Sequence, residues 1–310
     1  MFSSFWNFLT IPTLPRISLA ITPSHLALIE LQKRGGAFQP KKLGVHTLPA
    51  DLVQASLSEP NITREAEFID ALSTLAERAG FGRKLKLSLT LPEGSAQSLV
   101  VTLEQKPVSH SELEQMLNWK ISRTTNLKPA EMRMSFQSLS PHNGQPRWLV
   151  AAVHEQVLQQ YERALSQLGW QAGAVLPQHL GEMQWLLRGA ASAEEDQALV
   201  STNDRGFVVV IVRGTEPILV REVFCEPHER EDEFFRLMVF YRDRLNPTQP
   251  LKRILVIGEP NDQVIFSQAL TAALEQNPQK LAPTSLGLNL DAGAPFNRLA
   301  AAAGAATLAF

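Results

Sequence analysis

Cysteine is almost absent: Cys225 is the single one in 310 residues. No internal disulfide can form, so nothing points to an oxidising compartment. The lone thiol reads as a small, half-buried hydrophobe rather than a nucleophile. There is no uninterrupted run of about 18 apolar residues, so no helical span of a bilayer is expected. No long basic run exists either, and the formal net charge is −2. That argues against nucleic acid as a partner, because such binding needs clustered Lys and Arg to displace counterions. The seven histidines show no His-x-x-x-His or similar ligand spacing, so no metal site is expected. No Ser-His-Asp or Cys-His pairing has a local signature, and no catalytic residue is assigned.

What is present is globular: 44% hydrophobic and 19% charged residues, over a length that suggests two units. The opening is unusual. Phe2, Phe5, Trp6 and Leu9 fall at i, i+3, i+4 and i+7, with Phe8 beside them, and Pro12 and Pro15 stop any helix. No Lys or Arg precedes Arg16 and the apolar run is interrupted, so this is not a secretory signal. Two readings stay open: an amphipathic anchor of residues 1–11 on a membrane surface or partner, or a tail folded against its own domain. Missing basic residues weaken the membrane version.

Downstream, Ile17 to Leu31 reads as two strands around Thr22-Pro23-Ser24, followed by a third strand near Leu43 to Leu48. A helix is expected from Arg64 to Ala79, capped by Thr63, with Phe68, Leu72 and Leu75 inward and Gly80 past its end. Leu85 to Leu91 is a strand closed by Pro92. Lys106 to Pro141 looks inserted, its helix opening with the capping-box spacing Ser109-His110-Ser111-Glu112. Trp148 to Val153 is a buried strand, and a helix carrying Val157, Leu158, Tyr161 and Leu165 ends at Gly169. After the small, acidic stretch Ala190 to Gln197 the opening order returns. Strands at 198–201, 207–212 and 218–224 precede a helix from about Arg230 to Leu245. The strand Ile254 to Ile257 and a helix from about Asn261 to Glu275 follow. A repeat this long implies duplicated α/β lobes. Glu231, Asp232 and Glu233 read as helix-start charges, and Phe234, Leu237, Met238, Tyr241 and Leu245 as a core stripe.

That duplicated plan resembles the actin, Hsp70 and sugar-kinase superfamily, and one branch of it is similar over about residues 15 to 310. The run Val108-Ser109-His110-Ser111-Glu112-Leu113-Glu114-Gln115-Met116-Leu117-Asn118-Trp119-Lys120 resembles the inserted 1C subdomain of PilM proteins. Trp148 to Val157, Leu165 to Gln171 and the ending Ala294-Pro295-Phe296-Asn297 with its Ala-rich helix are similar to segments of the same family. The resemblance implies an actin-like, RNase H-like fold of the α/β class with an inserted α+β subdomain. Its expected parts are a tail (1–15), lobe 1 (16–92 and 148–190), the insert (93–147) and lobe 2 (195–310).

Members of that superfamily hold ATP between the lobes with two Asp-x-Gly hairpins and a glycine turn. The carboxylates sit near the metal or its waters, and bare backbone approaches the phosphates. Here the first hairpin has Ala20-Ile21-Thr22 in place of Asp-Ile-Gly, and Pro23 removes an amide donor. The second places Ser201 and Asn203 at the Asp and Gly positions. Asp204-Arg205-Gly206 is a shifted Asp-x-Gly, but ordinary hairpin-turn chemistry is the preferred reading. Arg221 is kept. The adenosine turn has Gly258 followed by Glu259 and Pro260. The expectation is a pseudo-ATPase without a bound cofactor; the alternative is an ATP- and Mg-binding enzyme, or a small-molecule kinase, with a remodelled site.

By resemblance, the protein is a cytoplasmic scaffold of a type IV pilus, secretion or competence machine, peripheral to the inner membrane. It would bind the N-terminal cytoplasmic peptide of a bitopic PilN-like protein, with an assembly ATPase of the same machine as a further partner. Candidate contacts are Leu89, Leu91, Met116 and Trp119, each weighed against plain core membership. Ending at an Ala-rich helix, the chain is expected to lack the fused transmembrane helix of GspL-like relatives.

Overall fold

The computed structural model describes residues 14–189, 195–245, 251–291 and 293–310. The expectations for residues 1–11, and most of the acidic stretch after Gly189, lie outside the described residues.

Two five-stranded sheets form the frame. In the first, β1 (Ile17–Ile21), β2 (His25–Arg34) and β3 (Ala37–Thr47) are an antiparallel meander. β4 (Leu85–Leu91) and β8 (Trp170–Pro177) run parallel to β1, giving the order β3-β2-β1-β4-β8. In the second, β9 (Asp196–Asn203), β10 (Gly206–Arg213), β11 (Glu216–Phe224), β12 (Leu251–Ile257) and the short β13 (Gln279–Lys280) take the same order, β11-β10-β9-β12-β13. The duplication visible in the order of elements is thus a duplication of topology. β1 and β4 are buried almost throughout, as parallel strands covered on both faces must be.

Helices α1 (Glu65–Arg78) and α3 (Glu155–Gln167) cover the outer face of the first sheet, where Phe68, Leu72, Leu75, Val157, Tyr161 and Leu165 form one core. On the second sheet α5 (Arg230–Arg244) and α6 (Pro260–Leu274) do the same. Phe207, Phe234 and Phe266 pack edge to face there, at centroid distances of 5.0–6.1 Å. The stripe Phe234, Met238 and Tyr241 is core, as its helical spacing implied.

Between the sheets lie α4 (Gln178–Gly189) and α7 (Phe296–Ala306). Small residues let them touch. A Cβ on Gly304 would lie 2.0 Å from the carbonyl oxygen of Gly181, and a Cβ on Gly181 2.8 Å from that of Ala301. The alanine run of α7 is fully buried, and Trp185 donates its indole N–H to the Ala300 carbonyl at 2.9 Å.

The insert is a third sheet, β5 (Ala96–Thr102), β6 (Met132–His142) and β7 (Gln145–His154) in the order β5-β7-β6, covered by α2 (His110–Thr125) through Leu117 and Ile121. Ser109 caps α2 by accepting from the Glu112 amide at 3.1 Å. Glu112 Oε2 returns to the amide of Val108 rather than to that of Ser109. One cap expectation needs correcting: Thr63 does not cap α1. Its hydroxyl donates to the carbonyls of Asp51 and Leu52, and Arg64 stands at the cap with no side-chain bond. Among the described residues, no helix is long and apolar enough to cross a membrane.

Candidate functional site

The two hairpin turns and the β12–α6 turn converge on one cleft of about 560 Å³ between the lobes. The topology thus gathers Thr22, Asn203, Gly258 and Glu259 into one site, while Ala20 and Ser201 lie buried on β1 and β9 just behind it. What fills these positions is an internal hydrogen-bond network. In the first hairpin Thr22 Oγ1 accepts from the His25 amide, donates to its carbonyl and meets its Nδ1, each at 2.9 Å. His25 Nε2 lies 3.2 Å from the Arg298 carbonyl, and burial holds the ring's pKa down to about 4, so it is neutral near pH 7.

The second hairpin is closed more firmly. Asp262, at the start of α6, receives Arg230 Nη1 on Oδ1 at 2.8 Å. Its Oδ2 accepts the Thr202 hydroxyl and the Glu259 amide, both at 3.0 Å. Arg230 Nη2 also donates to the Asn203 carbonyl at 2.7 Å. Gly258 is explained by this network. A Cβ there would stand 2.3 Å from Thr202 Oγ1 and 2.8 Å from Asp262 Oδ2, so the residue makes room for the protein's own side chains.

The Asp204-Arg205-Gly206 segment is a turn. Asn203 Oδ1 accepts from the Arg205 amide at 2.8 Å, and a Cβ on Gly206 (φ 142°) would lie 2.0 Å from the Val223 carbonyl oxygen. Arg205 reaches back to the Ala55 carbonyl at 3.1 Å and stacks on Phe224. ATP with magnesium is the ligand this fold implies, and the residues fit it poorly. The Asp262 carboxylate in the cleft is paired with Arg230, and β-branched Thr22 with the N–H-less Pro23 stands at the first hairpin, where the superfamily uses bare backbone.

Reaching inward from Glu93 in the cleft wall lies a polar cluster that no local signature marks, because His179 is 86 residues from Glu93 and 81 from Ser98. His179 Nδ1 is 2.8 Å from Glu93 Oε2, its amide donates to Glu93 Oε1 at 2.7 Å, and its Nε2 contacts the Ser98 hydroxyl. Ser-His-Glu is the order of a hydrolase triad, but Ser98 is 1% exposed on β5, out of reach of any substrate. Burial alone would lower the His179 pKa, but the Glu93 carboxylate outweighs it and the net shift is upward. Glu182, fully buried, and Glu222 on β11 are both raised to about 7, by burial first and then by the charge on Glu93. Glu182 Oε2 has no hydrogen-bond partner among the described residues. Cys225 is half-buried against the second-lobe core, and burial raises its thiol pKa.

A second feature is a trough between β8, an edge of the first sheet, and β6, an edge of the inserted sheet. Two cavities of about 330 and 480 Å³ share Ser135, Ala151, Val175, Leu176 and Pro177, so they adjoin along these strands. Of the four residues singled out for partner contact, Leu89 and Leu91 are 0% and 1% exposed, and only Leu91 reaches a wall of the trough. Met116 and Trp119 line a separate cavity of about 490 Å³ with Leu103 and Lys120. The structure does not bring the four together. Trp119 is 55% exposed, with Arg123 over its ring.

No family model matches this sequence, and no curated protein matches it either. Solved structures do. One is the "PilM-PilN type IV pilus biogenesis complex", similar at TM-score 0.77 and 17% identity over 96% of this chain and 99% of that one. Another is a Bacteroides thetaiotaomicron protein described as having an actin-like ATPase fold and unknown function (TM-score 0.54, 9% identity, 92% and 93% covered). A third is ethanolamine utilization protein EutJ from Carboxydothermus hydrogenoformans (TM-score 0.50, 10% identity, 96% and 91% covered). Similarity at such identities is one of backbone path, and it establishes that this chain has the actin-like ATPase fold.

Proposed function

We propose that the chain is an actin-like scaffold of an inner-membrane assembly platform, serving a type IV pilus or a related secretion or competence machine. It receives the cytoplasmic N-terminal segment of a bitopic PilN-like protein and does not hydrolyse ATP. The observation that carries this reading is a contrast between two concave sites. The interlobe cleft is cross-linked by its own Thr202–Asp262–Arg230 network, whereas the trough lies open between two strand edges. An extended peptide fits such a trough because edge N–H and C=O groups offer backbone pairing and the apolar walls accept alternate side chains. The similarity in backbone path to the PilM chain of a PilM-PilN complex supports the same choice of partner.

The test is fluorescence titration of the cytoplasmic N-terminal peptide of a PilN-like protein encoded by the same genome. Ala174→Arg, which puts a long cation into the trough, should weaken binding by about tenfold or more. Trp119→Ala should leave it unchanged; a loss there would move the site to the outer cavity of the insert. In parallel, MgATP and MgADP should leave the melting temperature in place. A concentration-dependent rise would overturn the pseudo-ATPase reading.

A further inference from the structure

We infer that Glu182 and Glu222 form a proton-operated latch between the two lobes: neutral, they let the lobes close on each other; ionised, they drive the lobes apart. The cluster they belong to draws on all three sheets. Glu93 follows β4 of the first sheet, and His179 and Glu182 lie on α4, which leaves β8 of that sheet. Ser98 comes from β5 of the insert, and Ser201 and Glu222 from β9 and β11 of the second sheet. The two lobes approach closely here. A Cβ on Gly94 would stand 2.7 Å from Arg205 Nη1 and 3.8 Å from Glu222 Oε1.

Charge in this cluster balances only while the two carboxyls hold their protons. Glu93 is matched by His179, which meets it at 2.8 Å through Nδ1 and at 2.7 Å through the backbone amide. Glu182 is fully buried. Its Oε1 accepts from Gln178 Nε2 at 3.0 Å, and its Oε2 and the Ser201 hydroxyl have no hydrogen-bond partner among the described residues. The charged groups facing Glu182 are Glu93 and His179. Those facing Glu222 are the same two and Arg205, whose guanidinium is also engaged by the Ala55 carbonyl and the Phe224 ring.

Such surroundings favour the neutral carboxyl, and both groups are raised to about 7. Ionising them beside Glu93 gathers like charges where little water screens them, so the repulsion is stronger than at the surface. Loss of the His179 proton at higher pH adds to it. Glu222 sits on one lobe and Glu93 and Glu182 on the other side of the junction. Widening the cleft therefore hydrates all three at once, which makes the interlobe gap the element biased by protonation.

The test measures that gap. Full-length protein carrying Cys225→Ser, Gln54→Cys and Asp204→Cys is labelled with nitroxides on the two introduced thiols, at exposed positions on opposite rims of the cleft. Dipolar electron spectroscopy on samples frozen at about pH 5.5 and about pH 8.5 should give a longer, broader inter-label distance at the higher pH. Adding Glu182→Gln and Glu222→Gln, neutral at both, should hold the short distance throughout. Glu222→Gln alone, at a half-buried position, should shrink the change and serves should the double variant fold poorly. A distance that ignores pH overturns the inference, and so does a lengthening of the same size in the glutamine variants.

One consequence rests on the proposed function. β11 supplies Glu216 and Pro217 to the trough wall, so opening should weaken binding of the PilN-like peptide by about threefold or more over the same pH range, and not in the double variant. A lobe distance that follows pH with no peptide bound at any pH would defeat the proposed partner and leave the latch standing.

Discussion

Single side chains decide what the cleft can hold. Asp262 is 6% exposed and carries three hydrogen bonds, so Asp262→Ala strands Arg230, Thr202 and the Glu259 amide. The expected cost is about 2–4 kcal/mol, read as a lower denaturant midpoint with unchanged slope, and Asp262→Asn should lose less. The buried cluster sets a pH dependence of unusual sign. Glu182 and Glu222 are raised from 4.5 to about 7, so the folded state keeps protons that the unfolded chain releases. Their contribution is fully present below about 4.5 and is lost as pH climbs to about 7. His179, whose folded pKa also lies above its ordinary value, adds a contribution present below 6.5 and lost above its raised value. The melting temperature should therefore fall between about pH 5 and 8, and Glu182→Gln, neutral throughout, should flatten that slope. An unchanged slope in the variant would remove Glu182 from the account.

At the scale of elements, α4 and α7 are the contact most exposed to a single atom. Gly304→Ala drives a methyl into the Gly181 carbonyl. It should destabilise by about 3 kcal/mol, checked by chemical denaturation; a neutral result would mean the helices can slide apart freely. Besides the packing of β5 near β11, a carboxylate ties the insert to the second lobe. Glu216 accepts from the Ser140 amide at 2.8 Å and its hydroxyl at 3.0 Å, with Arg147 3.8 Å away. Because these groups are partly wet, Glu216→Ala should change global stability by no more than about 1 kcal/mol. It should nonetheless speed hydrogen exchange along β6 and β7 relative to the rest of the chain. Uniform exchange across the three sheets would mean the tie does not hold the insert.

For the whole molecule, the duplicated order of elements was legible because each lobe repeats its own hydrophobic periodicities, and these are local. β5, β6 and α4 were not read as elements: β6 alternates half-buried with exposed residues, and α4 is apolar on more than one side as a helix between two sheets must be. The residue types at the three turns were legible one by one, since each turn is read within a few neighbouring residues. That Asp262 and Arg230 would pair across 32 positions was invisible, as was the Glu93–His179–Ser98 chain, because no local spacing encodes contacts between elements distant in the chain. The partner contacts named from the sequence divided for the same reason: strand alternation cannot say which face of β4 is covered, and Leu89 and Leu91 are covered.

The sequence by itself determined that two like α/β lobes form, that an insert interrupts the first, and that Thr22, Pro23, Asn203 and Glu259 stand at the turns facing the cleft, since these are properties of periodicity and of residue type at a turn. Only the tertiary structure decided which side chains take the vacated space, and that two strand edges face each other across a trough. Both are matters of distance between segments far apart in the chain, where burial and charge pairing set the energies.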